Sequence, residues 1–272
     1  MRKAAILISL WLLVLAGGSS QGAAPAGWTL TWSDEFSGRN GSAPDPAKWT
    51  LETGGNGWGN HELEFYTRRP QNAFQQDGHL VIQVLKENYA GPDGVTRHYT
   101  SARLKTAGHF TQAYGRFEAR IKIPRGKGIW PAFWMLGDNV DTVEWPACGE
   151  IDIMENIGSE PNRVHGSMHG PGYSGATPLT AVYTLPGAAF ADDFHLFAVE
   201  WEPAAVRFYV DGNLYLTETP ANLPAGTRWV FDHPFFLLLN VAVGGDFPGS
   251  PDATTVFPQT MLIDYVRVYA RK

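Results

Sequence analysis

Apolar and polar residues alternate with a period of two over several stretches of the chain. Phe117, Ala119, Ile121 and Ile123 alternate with Glu118, Arg120 and Lys122. Val206, Phe208 and Val210 alternate with Arg207, Tyr209 and Asp211, after which Asp211-Gly212 turns the chain. Met261, Ile263, Tyr265 and Arg267 alternate with Leu262, Asp264, Val266 and Val268, and the apolar run 80–85 follows an Asp77-Gly78 turn. Successive side chains on a strand point to opposite faces, so these patterns predict half-buried strands. Residues 235–243 are almost continuously apolar and predict a central strand covered on both faces. No long stretch carries an apolar stripe at helical spacing, and glycine and proline are spread throughout, as in a fold with many turns. The expectation is all-β: two antiparallel sheets packed as a sandwich.

Length and composition refine this only slightly. The 272 residues suit one large all-β domain, and no linker, repeat or low-complexity tract divides them. The N-terminus reads differently from the rest. Arg2 and Lys3 precede an apolar run at 4–16 and small residues at 17–24, the layout of a secretory signal peptide. That run is short of the roughly 20 apolar residues of a membrane-spanning helix. The expected organisation is therefore a signal peptide at 1–24 and a single catalytic domain at 25–272. It implies a secreted protein, extracellular or periplasmic, with no membrane association after cleavage. A net charge of −6 without a Lys/Arg block argues against nucleic acid and leans toward a neutral polymeric substrate. Cys148 is the only cysteine, so no intramolecular disulfide forms. A lone cysteine of this kind is expected to be a small buried residue.

The segment that carries chemistry is Gly149-Glu150-Ile151-Asp152-Ile153-Met154-Glu155-Asn156. On a regular strand Glu150 and Asp152 share one face, while Ile151 and Ile153 share the other. Glu155 is five positions after Glu150, so strict alternation sends it to the wrong face. One extra residue near Ile153 or Met154, a β-bulge, restores it. Glycoside hydrolysis uses two carboxyl groups in different protonation states, and a retaining enzyme holds them about 5–5.5 Å apart. Glu150 is the candidate nucleophile and Glu155 the candidate acid/base. Asp152 lies between them and tunes them as a coupled neighbour. The competing readings are a solvated acidic strand face and a calcium-binding cluster. Like charges on one face destabilise a sheet, and the apolar neighbours favour a buried site.

The run 149–158, GEIDIMENIG, resembles the active-site strand of glycoside hydrolase family 16, in its bacterial laminarinase (endo-β-1,3-glucanase) branch. That branch carries the bulged Glu-x-Asp-x-x-Glu form. The resemblance extends over essentially all of the chain beyond the signal. Trp32-Ser33-Asp34-Glu35-Phe36 resembles the opening strand. Gly57-Trp58-Gly59-Asn60, with Glu62 and Tyr66, resembles the glucan-site loop. The runs 130–136 and 164–169 resemble the strands before and after the catalytic one, and 240–249 and 263–269 the closing elements. The resemblance implies a concanavalin-like β-jelly-roll with a substrate cleft on its concave sheet. It also implies Glu150 as nucleophile, Asp152 as its assistant and Glu155 as acid/base. Phe247 stands where the family often has tryptophan, so a differently shaped stacking surface is expected there.

Further candidates take their roles from this frame. Trp130 and Trp134, four apart, share a strand face and are expected as platforms for glucose rings, with core packing as the alternative. Trp58 and Phe247 are expected to stack from loops. His169 is expected to hydrogen-bond near the catalytic centre. A zinc site built on His165 and His169 lacks a third ligand fixed by spacing, and His165 reads as structural. Asn56, Arg103 and Asn240 are candidates to contact sugar hydroxyls, with satisfied buried polar groups as the alternative. Glu35, the carbonyl of Gly78 and Asp264 resemble the family's structural calcium site, while catalysis needs no cofactor. The expected activity is endo-hydrolysis of β-1,3-glucan, extending to mixed-linkage β-1,3-1,4-glucan, by a monomer. The rivals are agarose or carrageenan hydrolysis on the same fold and a non-catalytic glucan-binding protein. Transglycosylation stays chemically open, because a sugar hydroxyl competes with water for the same intermediate.

Overall fold

The computed structural model describes residues 24–272, and the expected signal peptide lies outside them except for its last position. The described residues form two sheets. One has ten strands. Its main path runs, in spatial order, Asn213–Glu218, Ala205–Val210, His195–Glu202, Gly115–Lys122, Gln259–Arg271, His79–Ala90, Thr96–Ser101 and Glu64–Tyr66. Trp28–Asp34 pairs with the C-terminal strand and Ala73–Gln76 with His79–Ala90. The other sheet has seven strands, in the order Leu179–Thr184, Arg163–His169, Glu150–Glu155, Ile129–Gly137, Phe235–Val243, Arg103–Lys105 and Thr50–Leu51. Among the described residues, helix is confined to one turn at Val140–Val143 and a short 3-10 segment at Pro220–Asn222. None of it is long and apolar enough to cross a membrane.

Every strand predicted from alternation is present. The turn chemistry behaves as its residues dictate. Asp77-Gly78 and Asp211-Gly212 each join paired strands as two-residue loops with both residues at positive φ (52° and 79°, 49° and 79°). That is the twist a type I′ hairpin turn requires, and glycine adopts it without a Cβ clash. The antiparallel expectation has one exception, because Glu64–Tyr66 pairs in parallel with Thr96–Ser101.

The two sheets enclose one apolar core. Phe133, Met135, Ile151, Val164, Met168, Leu237, Leu239 and Val241 of the seven-stranded sheet are fully buried. They belong to the same cluster as Phe117, Ala119, Ile121, Phe197, Val199, Phe208, Ile263 and Val266 of the ten-stranded sheet. Phe235–Val243 is buried at all nine positions, as its apolar run, broken only by Asn240, predicts. It lies between Ile129–Gly137 and Arg103–Lys105, and its outward residues are covered as well. Emptying a site such as Phe133 is expected to cost about 3–5 kcal/mol. With its inner face fixed in this way, the seven-stranded sheet offers its outer face as a rigid platform.

Candidate active site

The register of Glu150–Glu155 shows how three acids reach that outer face. Against the following strand, Glu150 pairs with His169, Asp152 with Ser167 and Glu155 with His165. Three steps on one strand are therefore matched by two on the other. The preceding strand shows the same shift between Asp152 and Met154. This is a β-bulge at the expected place. It lets two adjacent residues, Ile153 and Met154, both enter the core, where they are 1 % and 0 % exposed. Glu155 is returned to the face of Glu150 and Asp152. Four partner steps still separate Glu150 from Glu155, about 13 Å of backbone, so the two side chains reach toward one another over Asp152.

Each outer carboxyl accepts one indole N–H. Trp145 Nε1 donates to Glu150 Oε2 at 2.9 Å, and Trp130 Nε1 donates to Glu155 Oε1 at 2.9 Å. His169 Nε2 lies 3.0 Å from Asp152 Oδ2 and 3.8 Å from Glu150 Oε1. The contact with Asp152 is electrostatic rather than an aligned hydrogen bond, since Oδ2 makes none. Burial, followed by the charge of Asp152, pushes Glu150 up to about 8. Burial raises Glu155 to about 7, with His169 opposing the rise and Glu150 adding to it. Asp152 is pushed well above the usual carboxylate range by burial and by Glu155. The cluster thus titrates as one unit and holds protons at neutral pH. Glu150, Asp152 and His169 each place a donor atom within 4.8 Å of the others, close enough to hold a cation, although hydrolysis by two carboxyl groups needs none. Cys148, beside the cluster, is fully buried. Burial and then the charge of Glu150 push its thiol up to about 11, so it stays protonated and is no nucleophile.

The flanking residues separate into two groups. Trp130, Phe247 and His165 cluster at the Glu155 end. Phe247, 40 % exposed, meets Trp130 edge-on at 5.5 Å and His165 at 5.2 Å. The other group is layered. The Arg103 guanidinium lies over the Trp58 ring at 4.6 Å and over the Trp134 ring at 4.8 Å. Arg103 is bridged to Glu52 at 2.6 Å, and Trp134 Nε1 donates to Asn240 Oδ1 at 2.8 Å. Arg103 therefore stacks on the Trp134 ring, a contact that tryptophan spacing alone did not predict. Asn56 is exposed and accepts the Trp58 backbone N–H, so it shapes the loop that carries Trp58. Trp145 was not foreseen. Its signal was a tryptophan next to proline, five residues before the first carboxylate, and it is 46 % exposed.

The trio proposed for calcium does not fit that ion as arranged. Glu35 gives both carboxylate oxygens to Arg267, at 2.9 and 2.8 Å. Asp264 gives one to Arg120 at 2.7 Å. Gly78 sits exposed in its hairpin turn. Two arginine-neutralised acids and one turn carbonyl fall short of the six to eight oxygens calcium takes. A concavity of about 710 Å³ lies on the ten-stranded sheet between Trp28, Trp201, Arg207 and Arg271. Its acid, Glu202, is paired with both arginines, so it offers no free carboxyl for catalysis.

Two carboxyl groups brought to one face of a β-sandwich by a bulge, with aromatic rings on both sides, define a glycoside hydrolase. Residues 60–267 match the family described as Glycosyl hydrolases family 16, and the chain belongs to that family. It is 41 % identical to a β-glucanase of Rhodothermus marinus, over 99 % of this chain and 94 % of that one. The laminarinase catalytic domain of Thermotoga maritima MSB8 superposes with a TM-score of 0.85 at 51 % identity, covering 90 % of this chain and 99 % of that one. The endo-β-1,3-glucanase of Pyrococcus furiosus gives 0.86 at 50 % identity, over 90 % and 95 %. The jelly-roll expected from the resemblance is thus the fold observed.

Proposed function

We propose that the protein is a secreted, retaining endo-β-1,3-glucanase with Glu150 as nucleophile and Glu155 as acid/base. The observation that carries this reading is the bulge at Ile153 and Met154, which places both carboxyls on one face. In the first step the Glu150 carboxylate attacks the anomeric carbon, and Glu155 gives its proton to the departing glycosidic oxygen. In the second, Glu155 takes a proton from water, which attacks the anomeric carbon and releases Glu150. The active form has one of these carboxyls ionised and the other protonated, a state of the whole cluster rather than of either group. The order of the family motif distributes the roles. Asp152 and His169 hold Glu150 in place, and Trp130, Trp134, Trp58 and Phe247 supply faces for sugar rings.

The names of the relatives support β-1,3-glucan as substrate, with mixed-linkage glucan as an extension. A sulfated polymer fits less well, because Arg103 and Lys105 are both bound to Glu52. Reducing-sugar release from laminarin, lichenan and agarose, measured side by side, tests the reading. Release from laminarin, with lichenan second, is expected. Release from agarose alone would sink the substrate and spare the mechanism. Secretion is tested by N-terminal sequencing of protein recovered outside the cytoplasm, where a start between residues 17 and 25 is expected.

A further inference from the structure

A second pair of acids lies behind the glucan-site loop, away from the reacting carboxyls. Glu62 is 9 % exposed and Glu64 not at all. Neither has a lysine or arginine within ion-pair distance among the described residues. Glu62 Oε1 accepts Asn60 Nδ2 at 3.2 Å, and Oε2 accepts the Tyr66 hydroxyl at 3.0 Å. Glu64 Oε2 accepts the Val243 backbone N–H at 2.7 Å. Its Oε1 is buried with no hydrogen-bond donor to accept, although the carboxyl lies within hydrogen-bonding reach of Glu62.

Two ionised carboxylates in so dry a place repel each other, whereas one shared proton turns the contact into a charge-assisted O–H···O bond. Both oxygens of Glu62 already accept a hydrogen bond. The proton then belongs on Glu64 Oε1, the oxygen that otherwise has no partner. From Glu62 the chain of hydrogen bonds continues toward the cleft. The Tyr66 hydroxyl accepts Asn240 Nδ2 at 3.2 Å, and Asn240 Oδ1 accepts Trp134 Nε1 at 2.8 Å. The pair also joins the 57–62 loop to the end of Phe235–Val243, alongside the Leu63 N–H to Val243 carbonyl bond of 2.8 Å.

We propose that Glu64 is a positioning residue: it carries a proton shared with Glu62, and that proton clasps the 57–62 loop and orients the Trp134 indole for glucan binding. Its effect on binding rests on the glucanase reading above, while the shared proton does not. Burial, with the charge of Glu62 adding to it, pushes Glu64 well above the usual carboxylate range. Tyr66, on the strand of Glu64, also faces the pair, and Arg103 from Arg103–Lys105 faces Tyr66. His61 and Asp246 pair with each other at the exposed end of the loop.

The test compares wild type with Glu64→Gln, whose amide keeps a donor toward Glu62, and Glu64→Leu, which has none. In the unfolded chain Glu64 releases its proton near the ordinary carboxylate pH, and in the folded protein it holds on. Stability from this group is therefore full below that pH and declines as pH rises toward the folded value. The melting-temperature difference between Glu64→Gln and wild type should be near zero at the acid end and widen with pH. The KM of wild type for laminarin should rise over the upper part of that interval, while the pH dependence of kcat, set by the reacting carboxyls, should be the same in wild type and Glu64→Gln. Glu64→Gln should flatten that rise, and Glu64→Leu should show a raised KM throughout. Parallel melting curves for wild type and Glu64→Gln at all pH values overturn the shared proton. A KM–pH profile unchanged by Glu64→Gln overturns the link to Trp134. If laminarin proves not to be a substrate, the KM arm falls with the glucanase reading, and the melting arm still decides the shared proton.

Discussion

On the central strands of the ten-stranded sheet, around Gly115–Lys122, His195–Glu202 and Gln259–Arg271, the acids come with arginines. Glu35 is paired with Arg267, Glu118 and Glu200 with Arg116, Asp264 with Arg120, and Glu202 with Arg207 and Arg271. On the outer face of the seven-stranded sheet Glu150, Asp152 and Glu155 have neither lysine nor arginine at ion-pair distance. Their polar neighbours are two indole N–H groups and one imidazole. The first arrangement gives each acid a guanidinium partner and serves stability. The second leaves buried acids uncompensated, pushes their proton affinity up and serves proton transfer. A fold keeps such a costly cluster where the chemistry needs it.

The comparison can be broken most forcefully at Glu150. Glu150→Ser removes the nucleophile and keeps the fold, and kcat/KM on laminarin is expected to fall by about 10⁴-fold or more. Near wild-type release of reducing ends would refute the assignment. The next effect belongs to the other sheet. Arg267→Met strands the Glu35 carboxylate, whose two oxygens lose their only side-chain partner, and is expected to destabilise by about 3 kcal/mol in urea unfolding. Adding Glu35→Gln to that variant should recover part of the loss, and no recovery would mean that the pair does not act through charge. Smaller again is Trp145→Phe, which keeps the ring and deletes the N–H donated to Glu150. About a tenfold loss of kcat/KM is expected, as for one hydrogen bond to a charged group. Since that N–H favours ionised Glu150, the ascending limb of the pH–rate profile should move to higher pH. A profile that falls without shifting would assign Trp145 to sugar stacking alone.

Much of this was legible in the sequence, for identifiable reasons. Alternation at 117–123, 206–211 and 261–268 marked strands because each turns one apolar face to the core, although in the last a bulge between Ile263 and Tyr265 shifts the core face to Val266 and Val268. The break in alternation between Asp152 and Glu155 pointed to the bulge, because only an extra residue reconciles three acids with one face. What escaped depends on contacts between distant segments. Arg103 layers between Trp58 and Trp134 from three separate elements, and no local spacing encodes that. The pairing of Glu35 with Arg267 spans 232 positions, so the resemblance suggested calcium where the fold supplies a guanidinium. Trp145 lay within five residues of the motif, but its role rests on how the 140–149 loop turns back. Glu64 carries no local signal, because its burial comes from segments distant in sequence.

One isosteric change separates the two sheets most cleanly, because it should have opposite signs on them. Glu35→Gln removes a charge that Arg267 needs, and stability should fall at any pH where the carboxylate is ionised. Glu150→Gln removes a charge that no lysine or arginine compensates. In the folded protein burial and the charge of Asp152 push Glu150, within its cluster, up to about 8 from an ordinary value of 4.5. Below the ordinary value both folded and unfolded chains hold the proton, and this group contributes no penalty. Between the two values the unfolded chain releases a proton that the folded protein keeps, so stability declines as pH rises and levels off above 8. Glutamine abolishes this dependence. Glu150→Gln should therefore melt with wild type near pH 4 and above it by pH 8. The gain is on the order of 1–2 kcal/mol, restrained by the 18 % of the side chain that solvent still reaches. A constant difference across that range would mean that Glu150 is ionised like a surface acid, and the contrast between the two sheets would then rest on geometry rather than on charge.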